Sequence, residues 1–306
     1  MTDAGRMTDA ILRLKDEKGV AIMAHNYQVP DVQDLADIVG DSLFLAIEGA
    51  GAEADAIVFC GVAFMAETVK VLNPEKTVIH PVPDSRCPMA GMVNTDTLLA
   101  LKRENPGAPV VTYVNTTTET KAISDICCTS ANAVKIVRSL PEERIIFVPD
   151  QNLGSYVQHM VPEKEVVLYP GYCHVHTGIT LEDVERLKVE HPGAEVLVHP
   201  ECTPDVVDAS DHVYSTEGMI RHAMDSNSTE FIVLTEKELA YRLRKVTGKR
   251  AYAPDATCPN MKKITLEDVL NAVRDLGPVV EMDQGLMERA RIPIQRMLDV
   301  GRGDEG

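Results

Sequence analysis

Short runs of apolar, β-branched residues alternate along the chain with stretches whose apolar positions recur at helical spacing. In the first third this pattern predicts helices over 8–18, 31–39, 43–50 and 63–72, and strands over 19–25, 55–60 and 77–82. It continues with strand-like runs at 109–115, 144–150 and 165–171 and helical runs at 132–139 and 153–160. The last third places strands at 194–200, 230–236 and 249–255 and helices at 218–225 and 237–246. Short apolar strands alternating with helices imply parallel sheets covered on both faces. The expected fold class is therefore α/β, and ligands in such sheets gather beyond the carboxyl ends of the strands.

The pattern is also periodic. Helical openers recur as "TDAILRLK" from Thr8, "TDTLLALK" from Thr95, "TLEDVERLK" from Thr180 and "TLEDVLNAV" from Thr265, in steps of 87, 85 and 85 residues. A polar trio closes one strand of each copy, and a hydroxyl residue follows its first member by 17 positions: His25 and Ser42, Tyr113 and Ser130, His199 and Thr216. Periods this long describe three small α/β/α domains related by pseudo-threefold symmetry around a central site, not a solenoid of short units. Boundaries are expected at 1–93, 94–179 and 180–263, with residues 264–306 forming a helical tail that packs back, onto the first copy. Because "MTDA" occurs at both 1–4 and 7–10, Met1 and Met7 are both candidate starts.

Composition narrows the class. No apolar run reaches the roughly 18 residues of a membrane helix, and no basic-then-apolar leader opens the chain, so a cytoplasmic protein without a membrane partner is expected. A net charge of −17 argues against nucleic acid as a partner while leaving room for small anions at a local site.

Of seven cysteines, Cys87, Cys173 and Cys258 follow the last strand of each copy, 86 and 85 residues apart. Three thiols in one repeat register cannot close in pairs, and converging on an axis they suit a shared metal centre. Zinc could add His174 or His176, but structural zinc sites usually use local cysteine pairs that this chain lacks. A 4Fe-4S cluster on three thiolates leaves one iron without a protein ligand, an open Lewis-acid position. Cys60, Cys127, Cys128 and Cys202 read as small buried residues.

In order along nearly the whole chain, "AHNYQ", "GDSL", "YVNTT", "CTSAN", "VPDQNLG", "GYCHVH", "HPEC", "STEGM", the "TE" at 235–236 and "CPNMK" resemble the quinolinate synthase family. The resemblance implies an enzyme of NAD biosynthesis that condenses iminoaspartate with dihydroxyacetone phosphate to quinolinate, phosphate and two waters. It implies a 4Fe-4S cluster on Cys87, Cys173 and Cys258 with one open iron, so the implied partners also include the enzyme that supplies iminoaspartate and the iron–sulfur assembly machinery. Some family members carry extra cysteines near the third ligand that can form a disulfide switch; "DATCPNM" has Cys258 alone, and that regulation is not expected. Glu217 after the hydroxyl pair also departs from the family pattern.

Tyr27 and Glu201 resemble the family's proton-transfer residues, with His199 beside them; a phenol and a carboxylate are suitable acid–base partners. His25, Tyr113, Asn115, His199 and Glu201 are expected to bind substrate, since positions i and i+2 of an extended strand share a side. Ser42, Ser130, Ser215 and Thr216 are expected at helix starts, where a hydroxyl caps the helix and backbone N–H groups attract anions. Each copy would then supply one anion pocket. "GDSL" also matches a serine-esterase motif, but the D-x-x-H pair that reading needs is absent from the sequence. An aconitase-like hydro-lyase and a non-catalytic iron–sulfur scaffold remain the alternatives; the scaffold leaves the three trios idle. Whether Lys262 reaches the site is not readable from sequence.

Overall fold

Three four-stranded parallel sheets, one per copy, form the framework of the computed structural model, which describes residues 3–301. The first copy runs α1 (Asp3–Lys18), β1 (Val20–His25), α2 (Pro30–Leu35), β2 (Ile38–Gly40), α3 (Ser42–Gly51), β3 (Ala56–Cys60), α4 (Ala63–Leu72), β4 (Thr77–Ile79). The second runs α5 (Thr95–Glu104), β5 (Val110–Tyr113), α6 (Thr118–Ala122), β6 (Ile126–Cys128), α7 (Ala133–Ser139), β7 (Arg144–Val148), α8 (Gln151–Met160), β8 (Glu165–Leu168), followed by α9 (His174–Thr177). The third runs α10 (Leu181–Glu190), β9 (Glu195–Val198), α11 (Pro204–Asp208), β10 (His212–Val213), α12 (Thr216–Asp225), β11 (Glu230–Leu234), α13 (Glu238–Thr247), β12 (Arg250–Tyr252). Two helices follow, α14 (Leu266–Asp275) and α15 (Gln284–Gly301). In each sheet the strand order is second, first, third, fourth. The expected α/β class with three parallel sheets is what the chain adopts.

By contact the chain divides into two compact units, residues up to 87 with 258–283, and 88–257 with the C-terminal helix. In the first, alternate residues Ile22 and Ala24 of β1 and Val58 and Cys60 of β3 form one apolar face. That face is covered by Ile11 of α1 together with Val269, Ala272 and Val273 of α14. The fourth opener thus lies beside the first on the same sheet, which explains why it has no strands of its own. In the second unit, Leu98 of α5 covers Val110, Ile146 and Val148. Val184 and Leu187 of α10 cover Val196, Val198, Ile232 and Leu234 in the same way. Helix α15 packs on α6, α7 and β6. The "TLED" openers close capping boxes, Thr180 with Asp183 and Thr265 with Asp268.

Two predicted helices have different bounds. The first opener does not begin a helix: α1 is already formed at Asp3, and the Thr8 hydroxyl bonds back to the Ala4 carbonyl within it. The helix expected over 31–39 stops at Leu35, and 38–40 is the edge strand β2. Strands of two or three residues at the sheet edge (β2, β6, β10) are too short to show a period.

Those edge strands account for the 17-residue spacing. His25 pairs in register with Gly40, Tyr113 with Cys128 and Val198 with Val213. Two residues beyond each partner stand Ser42, Ser130 and Ser215, the last directly before Thr216 as Val198 is directly before His199, so trio and hydroxyl occupy neighbouring strand ends. One aspartate per copy fixes this pairing: Asp37, Asp125 and Asp211 accept from the N–H of Ile22, Val110 and Val196 at 2.8, 2.8 and 2.7 Å. Their own N–H groups donate to the carbonyls of the same three residues. Sequence reading missed this triplet. Alanine at any one is expected to cost about 1 kcal/mol, the net worth of a hydrogen bond at a half-exposed position, read as a lowered urea midpoint.

Candidate active site

The second unit carries a buried polar cluster where the carboxyl ends of its two sheets meet. Glu201, in the turn after β9, is 3 % exposed, and its carboxylate is fully engaged. The Tyr113 hydroxyl donates to Oε1, and His176 Nδ1 lies 2.9 Å from Oε2. The same His176 nitrogen is 3.2 Å from Cys173 Sγ, while its Nε2 is 2.8 Å from Thr235 Oγ1. Asn152 holds the Glu201 carbonyl through Nδ2 at 3.1 Å. Burial would push the Glu201 carboxyl upward, but the charges and hydrogen bonds of His176, then His199 and Tyr113, outweigh it. The group is held well below the usual carboxylate range and is ionised.

Beside it in the same cluster is a second carboxyl, shifted in the opposite direction. Asp150 is fully buried and caps α8, Oδ1 accepting from Asn152 and Leu153 N–H at 2.8 Å each. Its Oδ2 is buried with no hydrogen-bond partner among the described residues. Burial first, then the Glu201 charge, raise its pKa well above the usual value, against the backbone hydrogen bonds that favour the charge. The two carboxyls are therefore shifted in opposite directions, Glu201 down and Asp150 up. Because the folded value exceeds the unfolded one, near 3.9, this group's contribution to stability is fully present below that pH and is lost as pH rises toward the folded value. Asp150→Asn keeps the capping oxygen and removes the titration, so its thermal midpoint is expected to decline less than the parent's as pH rises above about 4.

His199 shows what the trios are built for. Its Nδ1 accepts from the Glu201 N–H at 3.3 Å, which in the neutral ring leaves the proton on Nε2, 3.1 Å from Ser130 Oγ. The ring stacks on His176 with centroids 4.6 Å apart. In the first unit His25 Nδ1 accepts from the Tyr27 N–H at 3.1 Å in the same way, with the two rings edge to face at 4.6 Å. The pairs are thus set by turns rather than by strand alternation, the Gln28 N–H donating to the His25 carbonyl and the Cys202 N–H to the His199 carbonyl. Gln33 Nε2 braces the first turn through the carbonyls of Asn26 and Gln28 at 2.9 and 2.8 Å. Lys262 reaches this turn, its ammonium donating to the Tyr27 carbonyl at 2.5 Å. Asn115, two residues after Tyr113, keeps its side-chain oxygen buried without a partner among the described residues.

The hydroxyl residues differ from the capping expectation in two copies of three. Asp41, not Ser42, caps α3, accepting from Leu43 and Phe44 N–H. Asn132 stands at the cap of the seven-residue α7, and Ser130 instead meets His199. Ser215 does cap α12, accepting from the Gly218 N–H at 3.2 Å, with Thr216 buried in the first turn. In the first copy the reason is competition: the Asp41 carboxylate, one position earlier, is a stronger acceptor than the serine.

The seven cysteines fall into two groups. Cys60, Cys127, Cys128 and Cys202 are buried, and desolvation pushes their thiols up, Cys60 and Cys127 to about 12. Cys87, Cys173 and Cys258 are half-buried. In the first unit the loops carrying Cys87 and Cys258 are tied together by Ser85 Oγ donating to the Asn260 carbonyl and Lys263 Nζ to the Asp84 carbonyl, each at 2.8 Å. In the second, donor atoms of Cys173, His176 and Glu201 all lie within 4.8 Å of one another. Sequence reading named Glu201, His199, Tyr113 and the three thiols as candidates. It gave no role to Asp150, Asn152 or Thr235, although "VPDQNLG" and "TE" were visible as motifs, and it weighed His176 only as a metal ligand.

Repeated parallel α/β sheets with polar trios and half-buried thiols beyond their strand ends define a repeat-built α/β protein whose chemistry is placed at the strand termini. Comparison with known proteins makes this specific. The chain belongs to the family described as quinolinate synthetase A protein, whose model matches residues 9–299. It is 50 % identical to a quinolinate synthase of Methanoregula boonei over 97 % of this chain and 99 % of that one. Identity is 47 % to one of Pyrococcus abyssi, over 96 % and 99 %, and 49 % to one of Thermococcus onnurineus, over 95 % and 97 %.

Proposed function

We propose that this chain is a quinolinate synthase of NAD biosynthesis, condensing iminoaspartate with dihydroxyacetone phosphate to quinolinate, phosphate and two waters. The observation that carries the reading is identity of 45–50 % over nearly the full length of proteins bearing that name. The ionised Glu201, held between a phenol and an imidazole at strand ends, supports it chemically.

Cys87, Cys173 and Cys258 would hold a 4Fe-4S cluster. The donors fit: they are the three half-buried thiols, two of them on loops tied to each other. A cluster with three protein thiolates supplies an open iron that acts as a Lewis acid toward a substrate oxygen. The rest of the work falls to side chains. Glu201 is assigned to proton transfer as the ionised partner of His176 and Tyr113, the donors that stabilise its charge. Tyr27 is the complementary acid–base group. His199 and His25 share one contact at Nδ1 that leaves Nε2 as the donor nitrogen; in His199 it meets the Ser130 hydroxyl, and the two would bind a substrate oxygen together. Asn115, with its buried unpartnered amide oxygen, is placed to orient a substrate donor. Ser42, Ser130, Ser215 and Thr216 complete the binding set with Tyr113. At a capped N-terminus such as that of α12, a carboxylate or phosphate meets backbone N–H groups.

Among the described residues no helix is long and apolar enough to cross a membrane. Oxygen-sensitive thiolate ligation suits the reducing cytoplasm, where iron–sulfur assembly factors and the enzyme that makes iminoaspartate would be the partners. The test is chemical. Reconstituted anaerobically and given both substrates, the chain is expected to release quinolinate and phosphate in equal amounts; a dehydration of one dicarboxylate without quinolinate would favour the hydro-lyase alternative.

A further inference from the structure

A second cluster of metal-ligating side chains lies within the third copy. Glu195 opens β9, His212 opens β10 and His222 lies toward the end of α12. His222 Nε2 is 3.1 Å from Glu195 Oε2, and His212 Nε2 is 3.5 Å from Oε1 of the same carboxylate. The two imidazoles stand 4.5 Å apart and tilted by 47°, so their Nε2 atoms converge from different directions. Donor atoms of all three residues lie within 4.8 Å of one another.

One histidine would suffice for a hydrogen-bonded histidine–carboxylate pair, and His222 already makes it. At 3.5 Å the approach of His212 is too long for a good N–H···O bond. It is the right length for something else: a tetrahedral ion with metal–donor bonds of about 2.0–2.1 Å keeps its ligands roughly 3.3–3.4 Å apart. The surroundings are those of a ligating group. Ser226 Oγ donates to Glu195 Oε2 at 3.1 Å, orienting the carboxylate. Tyr214 and Phe231 lie against the His222 ring at 5.1 and 6.2 Å and fix its plane. Side-chain exposures of 38 % for His212 and 24 % for Glu195 leave a path for an ion and a water ligand.

We propose that Glu195, His212 and His222 form a binding site for a divalent ion of the imidazole-preferring kind, zinc being the type, distinct from the thiol site. Its ligands come from β9, β10 and α12, so an occupied site clamps α12 to the edge of the third sheet. Helix α12 begins at the Ser215–Thr216 pair, and the clamp therefore steadies that helix start as well.

Zinc alone is the probe, added under argon to chelator-dialysed, cluster-loaded protein and measured by equilibrium dialysis with metal analysis. The parent is expected to bind about one equivalent that His212→Gln and His222→Gln each bind at least tenfold more weakly, with iron content unchanged. Zinc should raise the parent's unfolding midpoint by about 2–4 °C and leave both variants unmoved. Glu195→Gln, which keeps the shape and a hydrogen-bond acceptor for His222 but removes the charge, gives a third arm if a histidine variant folds poorly. Zinc bound equally by the parent and every folded variant would place the ion elsewhere and overturn the proposal.

Discussion

Alanine at Cys87, Cys173 or Cys258, one at a time, is expected to abolish both the brown chromophore and quinolinate formation. A 4Fe-4S cluster with three protein thiolates has no spare ligand, and losing one leaves two irons without protein donors. The buried thiols provide the control. Cys60, Cys127 and Cys202 sit among core side chains at 0–1 % exposure, and desolvation keeps each protonated. Their alanine variants should lose only packing and retain iron, sulfide and colour. A single ligand variant that kept the full anaerobic spectrum would remove that cysteine from the centre.

The next largest effect is expected from Glu201→Gln. The carboxylate accepts from both the Tyr113 hydroxyl and His176, and an amide offers one acceptor where two are needed. Turnover should fall by roughly 10²–10⁴-fold, the range for loss of a general acid or base, while the cluster stays. Tyr27→Phe should lose turnover within the same range without losing substrate binding, because the His25 contact uses the Tyr27 backbone N–H and not its phenol. Rapid quench of anaerobic reactions would separate these losses from weakened binding. Near-parental turnover in either variant would take that residue out of proton transfer.

Repeat arithmetic made much of this molecule legible. The three sheets, the thiol register and the trios could be read because each is copied at a step of about 86 residues, and a triplicated coincidence is hard to produce by chance. What escaped was short or relational. Edge strands such as His212–Val213 carry no period. Asp37, Asp125 and Asp211 show their part only in their bonds to the first strand of each sheet, which leave no periodic trace in the sequence. Ser42 suits a cap because hydroxyls cap helices, but the residue before it is a carboxylate that does so better. Asp150 was invisible as half of a carboxyl pair, since its partner lies 51 positions away in sequence and only folding brings the two together.

The claim that one iron lacks a protein ligand and meets substrate there is tested most directly by Mössbauer spectroscopy of anaerobic, ⁵⁷Fe-loaded protein titrated with quinolinate. About one quarter of the iron absorption is expected to shift with saturating product while the rest is unmoved, in the parent and in Glu201→Gln alike. A spectrum unchanged at saturation, in protein shown by calorimetry to bind quinolinate, would contradict it.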